Sequence, residues 1–290
     1  FPIKKAKFQL SPEMPIMDTD DIPWGNIGDP TMQKVIYNHV LKIIKYSHLT
    51  DWWLGNTSSD LEPGALSLSP KILPIGPLME SGNEFRSLGQ FWEEDLSCLN
   101  WLDQQPPCSV IYVAFGSSTM FDPHQLKELA LGLDLTNRPF LWVVREDASG
   151  STKTTYPDEF HGTCGKIVKW APQQKVLSHP AIACFISHCG WNSTMEGVSN
   201  GVPLLCWPYY TDQLFGKAYI CDVWKVGLGF DLDDKGLISR LEIKKKVDQL
   251  LGDENIRERS QKLKEMVLSN IEEGGRSYEN FNKFVEWLKE

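Results

Sequence analysis

The residues from His188 to Glu196 have the types and spacing needed to hold a phosphorylated ligand. The apolar run Ala181–Ser187 just before them predicts a buried strand, and the residues after them predict a helix that Gly201 ends. The first turn of such a helix presents unpaired backbone N–H groups and the positive end of the helix dipole. We therefore expect an anion, most naturally a diphosphate, above this helix N-terminus.

Polar side chains in the same stretch add further hydrogen-bonding groups. His188 ends the strand, and the Asn192 and Ser193 side chains at the helix start could also bind the anion. Glu196 lies four residues after Asn192 on the same helix face, where a carboxylate could accept from vicinal ribose hydroxyls. A second interpretation is that Asn192 or Ser193 merely caps the helix. The residues alone leave both interpretations open.

A second turn, Phe115–Thr119, carries a weaker signal of the same kind. Gly116 permits a tight turn, and the hydroxyls of Ser117 and Ser118 could face an anion together with free backbone N–H groups. Many turns between a strand and a helix have this composition, so the segment alone does not establish a ligand site.

The elements that must position these turns follow a repeated strand and helix pattern after Pro107. Such alternation predicts a parallel sheet, in which ligands bind beyond the carboxyl ends of the strands. The predicted strands are Ser109–Phe115, Phe140–Val144, Ile167–Lys169, Ala181–Ser187 and Pro203–Trp207. Amphipathic helices are predicted around Leu126–Leu133, Ile256–Ile271 and Tyr278–Leu288.

The first part of the chain is less regular. Residues 1–30 predict an extended surface segment because Pro and Gly interrupt every period. A helix is predicted over Met32–His48, and short strands are predicted over Asp51–Thr57 and Lys71–Ile75 with a short helix between them.

Composition excludes several classes of function. The net charge is −9 and the pI near 5.3, which argues against a nucleic-acid partner because phosphate backbones attract clustered Lys and Arg. No window approaches the roughly 20 apolar residues that span a bilayer. The seven scattered cysteines lack a C-x-x-C pair and indicate reduced thiols in a cytoplasmic protein.

The segment 170–213 resembles the signature of plant secondary-product glycosyltransferases, the family 1 UDP-glycosyltransferases. The matching residues are Trp170-Ala-Pro-Gln173, His188-Cys-Gly-Trp-Asn-Ser193, Glu196-Gly197, Gly201-Val-Pro203, Trp207-Pro208 and Thr211-Asp-Gln213, with no insertion. The resemblance extends outward through Ile75-Gly-Pro-Leu78, Trp101-Leu-Asp103 and Val110–Ser117.

This resemblance implies an α/β fold of the GT-B type. A complete C-terminal Rossmann-like donor domain with a parallel sheet is expected over residues 107–273, and residues 1–77 are expected to be the end of an N-terminal Rossmann-like acceptor domain. Residues 78–106 are expected to link the two, and the helix in 274–290 to pack back toward the acceptor domain. The chain opens with Phe1 rather than Met, so an N-terminally truncated protein is expected.

The resemblance also assigns the donor site. Trp170 is expected to stack on uracil, with Ala171 and Gln173 completing the base pocket. His188, Ser193 and the Ser117–Ser118 turn are expected to hold the diphosphate, and Glu196 the ribose. The residues expected to line the sugar and its junction with the phosphates are Trp191, Asn192, Asp212 and Gln213. A terminal Gln in this signature favours UDP-glucose as the donor.

The implied reaction is an inverting O-glucosyl transfer to a flavonoid, phenolic, terpenoid or similar small acceptor by a monomer that needs no metal or other cofactor. It requires a His base oriented by an Asp, and no residue of this chain matches either. The remaining histidines are expected on the surface without an Asp partner; they are His39, His48, His124, His161 and His179. The chain is thus predicted to bind UDP-sugar weakly without rapid transfer; an inactive UDP-sugar-binding remnant and a purely structural scaffold are the alternatives.

Two patterns resemble metal sites, but neither is predicted to bind a metal. The acidic run Asp231-Leu-Asp-Asp234 predicts a solvated turn rather than a set of metal ligands. His179, Cys184, His188 and Cys189 do not have the spacing of a zinc site.

Overall fold

A computed structural model describes residues 4–25, 29–79, 92–117, 119, 122–145 and 160–290. The strands in these ranges are β1 (Lys7–Phe8), β2 (Met17–Asp18), β3 (Trp53–Gly55), β4 (Ile72–Pro74), β5 (Val110–Ala114), β6 (Phe140–Val143), β7 (Gly165–Val168), β8 (Ile182–Ser187), β9 (Leu204–Cys206) and β10 (Gly227–Gly229). The α-helices are α1 (Pro30–Ser47), α2 (Pro63–Leu68), α3 (Ser97–Leu102), α4 (Pro123–Leu135), α5 (Gln173–Leu177), α6 (Trp191–Ser199), α7 (Gln213–Ala218), α8 (Arg240–Gly252), α9 (Glu254–Ser269) and α10 (Arg276–Trp287). A 3-10 turn at Thr19–Asp21 and a π-helical turn at Tyr219–Val223 accompany them.

The main sheet has six parallel strands in the order β10-β9-β8-β5-β6-β7. The chain runs outward from β5 through β6 to β7, returns to place β8 on the other side of β5, and continues outward to β10. The order therefore reverses between β5 and β8. In open parallel sheets this reversal opens a crevice at the carboxyl ends of the two strands, and ligands bind there.

Both faces of this sheet are covered, because every residue of β5 and β8 is buried. On one face Tyr112 and Phe185 stack with ring centroids 4.9 Å apart. On the other face Ile111 and Trp142 lie in a core that includes residues of α4 and α8. Strands buried on both sides are read from the sequence as continuous apolar runs.

All five strands predicted for this sheet are confirmed, with ends that move by one or two residues. Several elements were not predicted, among them β10 and α8. β10 is a Gly-Leu-Gly edge strand, a composition that strands disfavour. α8 begins after the N-cap Ser239, whose side chain accepts from the N–H of Glu242, and it presents few apolar residues.

The first part of the chain forms small, separate pieces of structure. β1 and β2 pair antiparallel, which corrects the expectation of a segment without regular structure, and Met14 and Met17 between and within them are buried. The predicted helix is confirmed as α1, which starts at Pro30 because Asp29 caps it. The two predicted strands are confirmed as the parallel pair β3 and β4.

The 56–62 loop and the C-terminal helix join this part to the main sheet domain. Trp224 Nε1 donates to the backbone oxygen of Leu61 at 3.1 Å. On α10, Asn280 Nδ2 donates to the oxygen of Pro74 at 2.9 Å, and Phe284 makes an edge contact with Trp52. The terminal helix therefore packs against β4 and its neighbours.

The region predicted as a linker contains ordered structure near its end. α3 lies within it, and the side chains of Cys98 and Leu102 are fully buried in the core of the main sheet domain. The domain boundaries at 77, 106 and 273 stay predictions. Across the described ranges, no helix is long and apolar enough to cross a membrane.

Candidate functional site

A cavity of about 450 Å³ opens where the strand order reverses, at the carboxyl ends of β5 and β8. Its walls come from the turn after β5, the segment around α5, and the first two turns of α6. The lining residues are Trp92, Glu94, Tyr112, Ala114, Gly116, Ser117, Val143, Trp170–Lys175, His188, Gly190–Ser193 and Glu196.

The ring of His188 forms one wall and lies between two glycines. A Cβ atom built on Gly116 would be 2.6 Å from His188 Nε2, and one built on Gly190 would be 2.5 Å away. Gly116 also has a φ of +67°, in the left-handed region that favours glycine. The sequence needs glycine at both positions because the imidazole occupies the space that a side chain would take.

Burial lowers the pKa of the His188 imidazole, and the negative charge of Asp212 opposes this shift. The ring is therefore neutral near pH 7, with one nitrogen as donor and the other as acceptor. Nδ1 is buried and has no hydrogen-bond partner among the described residues.

The N-terminus of α6 points at the cavity. Gly190 is the N-cap residue, and no side chain caps the helix. The alternative that Asn192 or Ser193 merely caps α6 is therefore wrong. The N–H of Trp191 donates to Asp212 Oδ2 at 3.2 Å. The opening turn of α6 thus keeps N–H groups for a ligand, in the arrangement that binds phosphates.

A hydrogen-bonded network fixes the carboxylate of Glu196. Gln173 Nε2 donates to Oε2 at 2.6 Å, and Gln174 Nε2 donates to Oε1 at 3.2 Å. The buried hydroxyl of Tyr112 in turn donates to Gln173 Oε1 at 3.1 Å. Burial and, to a smaller extent, the charge of Glu196 raise the pKa of Tyr112 well above its usual value, so the phenol stays a donor.

Two tryptophans form the outer end of the cavity. The rings of Trp170 and Trp92 are 6.3 Å apart between centroids and tilted by 34°. Trp92 is 50% exposed although it is a large apolar residue. The N–H of Asp95 donates to the oxygen of Trp170 at 2.9 Å, which ties the backbone segment of Trp92 to that of Trp170. Flat aromatic faces at a cavity mouth are suited to stacking a base.

The sequence profile of the UDP-glucoronosyl and UDP-glucosyl transferase family matches residues 88–288. The chain belongs to this family. It is 48% identical to UDP-glycosyltransferase 83A1 of Arabidopsis thaliana over 97% of the chain and 60% of that protein. It is 37% identical to linamarin synthase 1 of Manihot esculenta over 94% of the chain and 59% of that protein. The chain thus spans about 60% of the length of these relatives.

Solved structures of UDP-glycosyltransferases have the same GT-B fold. Phytolacca americana UGT2, complexed with UDP-2fluoro-glucose and pterostilbene, superposes with a TM-score of 0.82 at 32% identity over 98% of this chain and 64% of that chain. Os79 of O. sativa, in complex with UDP, gives a TM-score of 0.82 at 32% identity over 92% of this chain and 62% of that chain. The α/β GT-B fold expected from the sequence is confirmed.

Most of the donor-site residues implied by the family signature line this one cavity. They are Ser117, Trp170, Ala171, Gln173, His188, Trp191, Asn192, Ser193 and Glu196. Ser118 lies outside the described residues. Asp212 and Gln213 are not in the lining: Asp212 holds the N–H of Trp191, and Gln213 Oε1 accepts from the N–H groups of Tyr209 and Tyr210 at 2.8 and 3.2 Å. Sugar binding by these two residues stays a prediction.

Several lining residues were missed. Gln174 and Lys175 directly follow the Trp170–Gln173 motif, and Tyr112 is on the predicted strand β5, so their positions were within reach of the sequence. Trp92 and Glu94 lie in the segment predicted as a linker, where nothing in the pattern indicates contact with the site.

One expectation about the histidines is wrong. His179 Nε2 lies 3.2 Å from Asp103 Oδ1, so this histidine has an Asp partner. His179 lies just before the amino end of β8, whereas the cavity lies at the carboxyl ends of the strands. The pair therefore cannot act on a ligand in the cavity. Among the described residues that line the cavity, His188 is the sole histidine.

Proposed function

We propose that this chain supplies the UDP-sugar site of a UDP-glycosyltransferase that transfers glucose from UDP-glucose to a small hydroxylated plant metabolite with inversion. The observation that carries the proposal is the fixed carboxylate of Glu196 beside the open N-terminus of α6 in one cavity. An acceptor for hydroxyls next to donors for an anion matches a ribose joined to a diphosphate.

The network around Glu196 supports ribose binding. Amide groups of Gln173 and Gln174 hold the two carboxylate oxygens in place, and each oxygen can accept more than one hydrogen bond. A carboxylate that is already oriented loses little side-chain entropy when the ligand arrives. Two vicinal hydroxyls can then donate to one rigid group.

Neutral donors support binding of the diphosphate without a metal ion. The first turn of α6 provides backbone N–H groups and the positive end of its dipole, and His188 and Ser193 lie beside it. We propose that these groups meet the charge of the phosphates and that no metal or other cofactor takes part. Dialysis against EDTA should therefore leave UDP affinity unchanged; a loss that Mg²⁺ restores would contradict this.

We propose that the base that activates the acceptor is not among the described residues that line the cavity. Deprotonation of an acceptor hydroxyl needs a base within hydrogen-bond reach, and His188 is buried against two glycines at the donor end. We propose that the 290-residue chain binds UDP-glucose but glucosylates phenols at least about 100-fold more slowly than a full-length family member, since a general base contributes about that much or more.

The remaining parts of the proposal concern the cell and the assembly. Each of the seven cysteines is free, as in proteins of a reducing compartment, and we propose a cytoplasmic location. We also propose a monomer, with a flavonoid, phenolic or terpenoid as the acceptor.

Calorimetric titration of the purified chain with UDP tests the donor site. Glu196→Ala should weaken UDP binding roughly tenfold or more, because a charge-assisted hydrogen bond is lost. Glu258→Ala is the matched control: this glutamate is on α9, its carboxylate is exposed, and it pairs with Lys262. Equal affinity of the Glu196→Ala variant and the unchanged chain, or no UDP binding by the unchanged chain, would overturn the proposal.

A further inference from the structure

Asn56 lies outside the main sheet domain yet contacts two residues that line the cavity. It follows β3 directly and belongs to the 56–62 loop that joins the N-terminal part to the domain. Its backbone oxygen accepts from Trp191 Nε1 at 2.8 Å, and its side-chain Nδ2 lies 3.5 Å from Asn192 Oδ1. Both partners are in the first turn of α6 and line the cavity.

The backbone determines which way the Asn56 amide faces. The N–H of Leu78, which can only donate, contacts Asn56 Oδ1 at 2.9 Å. The oxygen end of the amide must therefore face Leu78, and the NH₂ end must face α6. The fit is close: a Cβ atom built on Gly76 would lie 2.5 Å from the same oxygen.

The orientation of Asn56 in turn determines that of Asn192. The NH₂ group of Asn56 can only donate, so the atom of Asn192 that faces it must be the amide oxygen. The NH₂ group of Asn192 is then directed away from Asn56. Because Asn192 lines the cavity at the open end of α6, it presents a donor there rather than an acceptor.

We propose that Asn56 is a positioning residue that holds the amide of Asn192 in the orientation that donates to the diphosphate. The inference rests on the proposed function, because it assumes that UDP occupies the cavity. It extends the donor site beyond the main sheet domain: a residue from the acceptor side of the molecule sets the polarity of a donor-side ligand contact.

Substitution of Asn56 by Asp tests the polarity. A carboxylate keeps the acceptor for Leu78 but places a second acceptor opposite Asn192, which then turns its NH₂ group toward Asp and its oxygen toward the phosphates. UDP affinity should fall about tenfold, because only a minor fraction of the chain keeps the competent orientation. Asn56→Ala leaves both orientations populated and should cost about twofold. The contact of Trp191 with the backbone oxygen is retained in both variants.

A double-mutant cycle separates this role from a structural one. Asn192→Ala should weaken UDP binding about tenfold, and Asn56→Asp in the Asn192→Ala background should change it by less than about twofold, because the residue that transmits the effect is gone. The background also measures any direct repulsion between the new carboxylate and the phosphates. Uridine, which has no phosphate, should bind the Asn56→Asp variant and the unchanged chain alike in ligand-observed NMR competition.

Three results would overturn the inference. One is unchanged UDP affinity of the Asn56→Asp variant, and another is a loss of equal size in the Asn192→Ala background. The third is a parallel loss for uridine. If Asn56→Asp lowers the melting temperature so far that titration fails, Asn56→Ala decides: it should weaken UDP binding about twofold in the unchanged chain and leave the affinity of the Asn192→Ala variant the same, and equal losses in both would overturn the inference. Failure of the proposed function is distinct, because the unchanged chain would then not bind UDP.

Discussion

The main sheet domain and the N-terminal part of the chain differ in how completely they bury their apolar residues. Every residue of β5 and β8 is buried between two layers of helices. In contrast, no residue of α1 is buried, and Ile43, Ile44 and Leu49 are 55%, 51% and 80% exposed. The main sheet domain has a fully buried core. The N-terminal part has small two-stranded sheets and the helix α1, whose apolar face is exposed.

This difference shows which region depends on the other for its stability. A two-stranded sheet is at best marginally stable in water, and a helix depends on packing of its apolar face. The N-terminal part is held instead by contacts to the domain: Trp224 donates to Leu61, Asn280 donates to Pro74, and the buried Leu61 lies in a cluster with Met195, Val198 and Val267. Among its contacts are those that Asn56 makes with two residues that line the cavity.

The largest expected effect is on the free energy of unfolding, which is compared for one substitution in each region. Phe185→Ala in β8 should lower the free energy of unfolding by about 3–5 kcal/mol, because it opens a cavity in the core. Ile44→Ala in α1 should change it by no more than about 0.5 kcal/mol. Urea unfolding followed by circular dichroism measures both. A cost above about 2 kcal/mol for Ile44→Ala would show that α1 is covered in solution.

The next effect concerns the two tryptophans at the cavity mouth. Trp170→Ala should weaken UDP binding by about 2 kcal/mol, since base stacking on an aromatic ring contributes about that much. Trp92→Ala should weaken it less, by about 1 kcal/mol, because this ring belongs to the connecting segment and is half exposed. Calorimetric titration with UDP gives both values. A larger loss for Trp92→Ala than for Trp170→Ala would contradict stacking of the base on Trp170.

A smaller effect is expected at the junction between the two regions. Trp224→Phe removes the hydrogen bond to Leu61 while keeping an aromatic ring, and should cost about 1 kcal/mol of unfolding free energy. Trp287→Phe is the matched control, because Trp287 contacts Trp52 through its rings. If the two variants are equally stable, the hydrogen bond to Leu61 does not hold the junction.

The smallest expected effect is a pH dependence at the same junction. Burial raises the pKa of the Glu62 carboxyl, and the hydrogen bond from Thr57 opposes this. The folded chain therefore binds the proton more tightly than the unfolded chain. This contribution to stability is complete below the ordinary Glu pKa and is lost as the pH rises through the higher folded value. Glu62→Gln should remove this part of the pH dependence in urea unfolding at a series of pH values; an unchanged profile would contradict it.

The sequence predicted the central strands of the main sheet well because they are buried on both faces. Such strands appear as short apolar runs, and all five predicted runs form strands. β10 was missed because two of its three residues are glycines, and its pairing with β9 depends on tertiary context. α8 was also missed, although Ser239 and Glu242 form a recognisable N-cap pattern at its start.

The site residues that belong to a sequence motif could be predicted. Contacts between residues that are distant in the chain could not. The signature residues Trp170, His188 and Glu196 all reach the cavity. Asn56 is 136 residues away from Asn192 in the chain, and no local pattern indicates that they meet. The contact between His179 and Asp103 was not predicted for the same reason.

The order of strands in the main sheet has a consequence for how the protein is made. β5 occupies the middle of the sheet, but its neighbour β8 is synthesised about seventy residues later, after β6 and β7. During translation, one side of β5 stays unpaired until β8 has left the ribosome. Contacts between residues so far apart in the sequence form slowly. The cavity at the ends of these two strands, whose lining runs from Trp92 to Glu196, therefore cannot form until α6 has been synthesised.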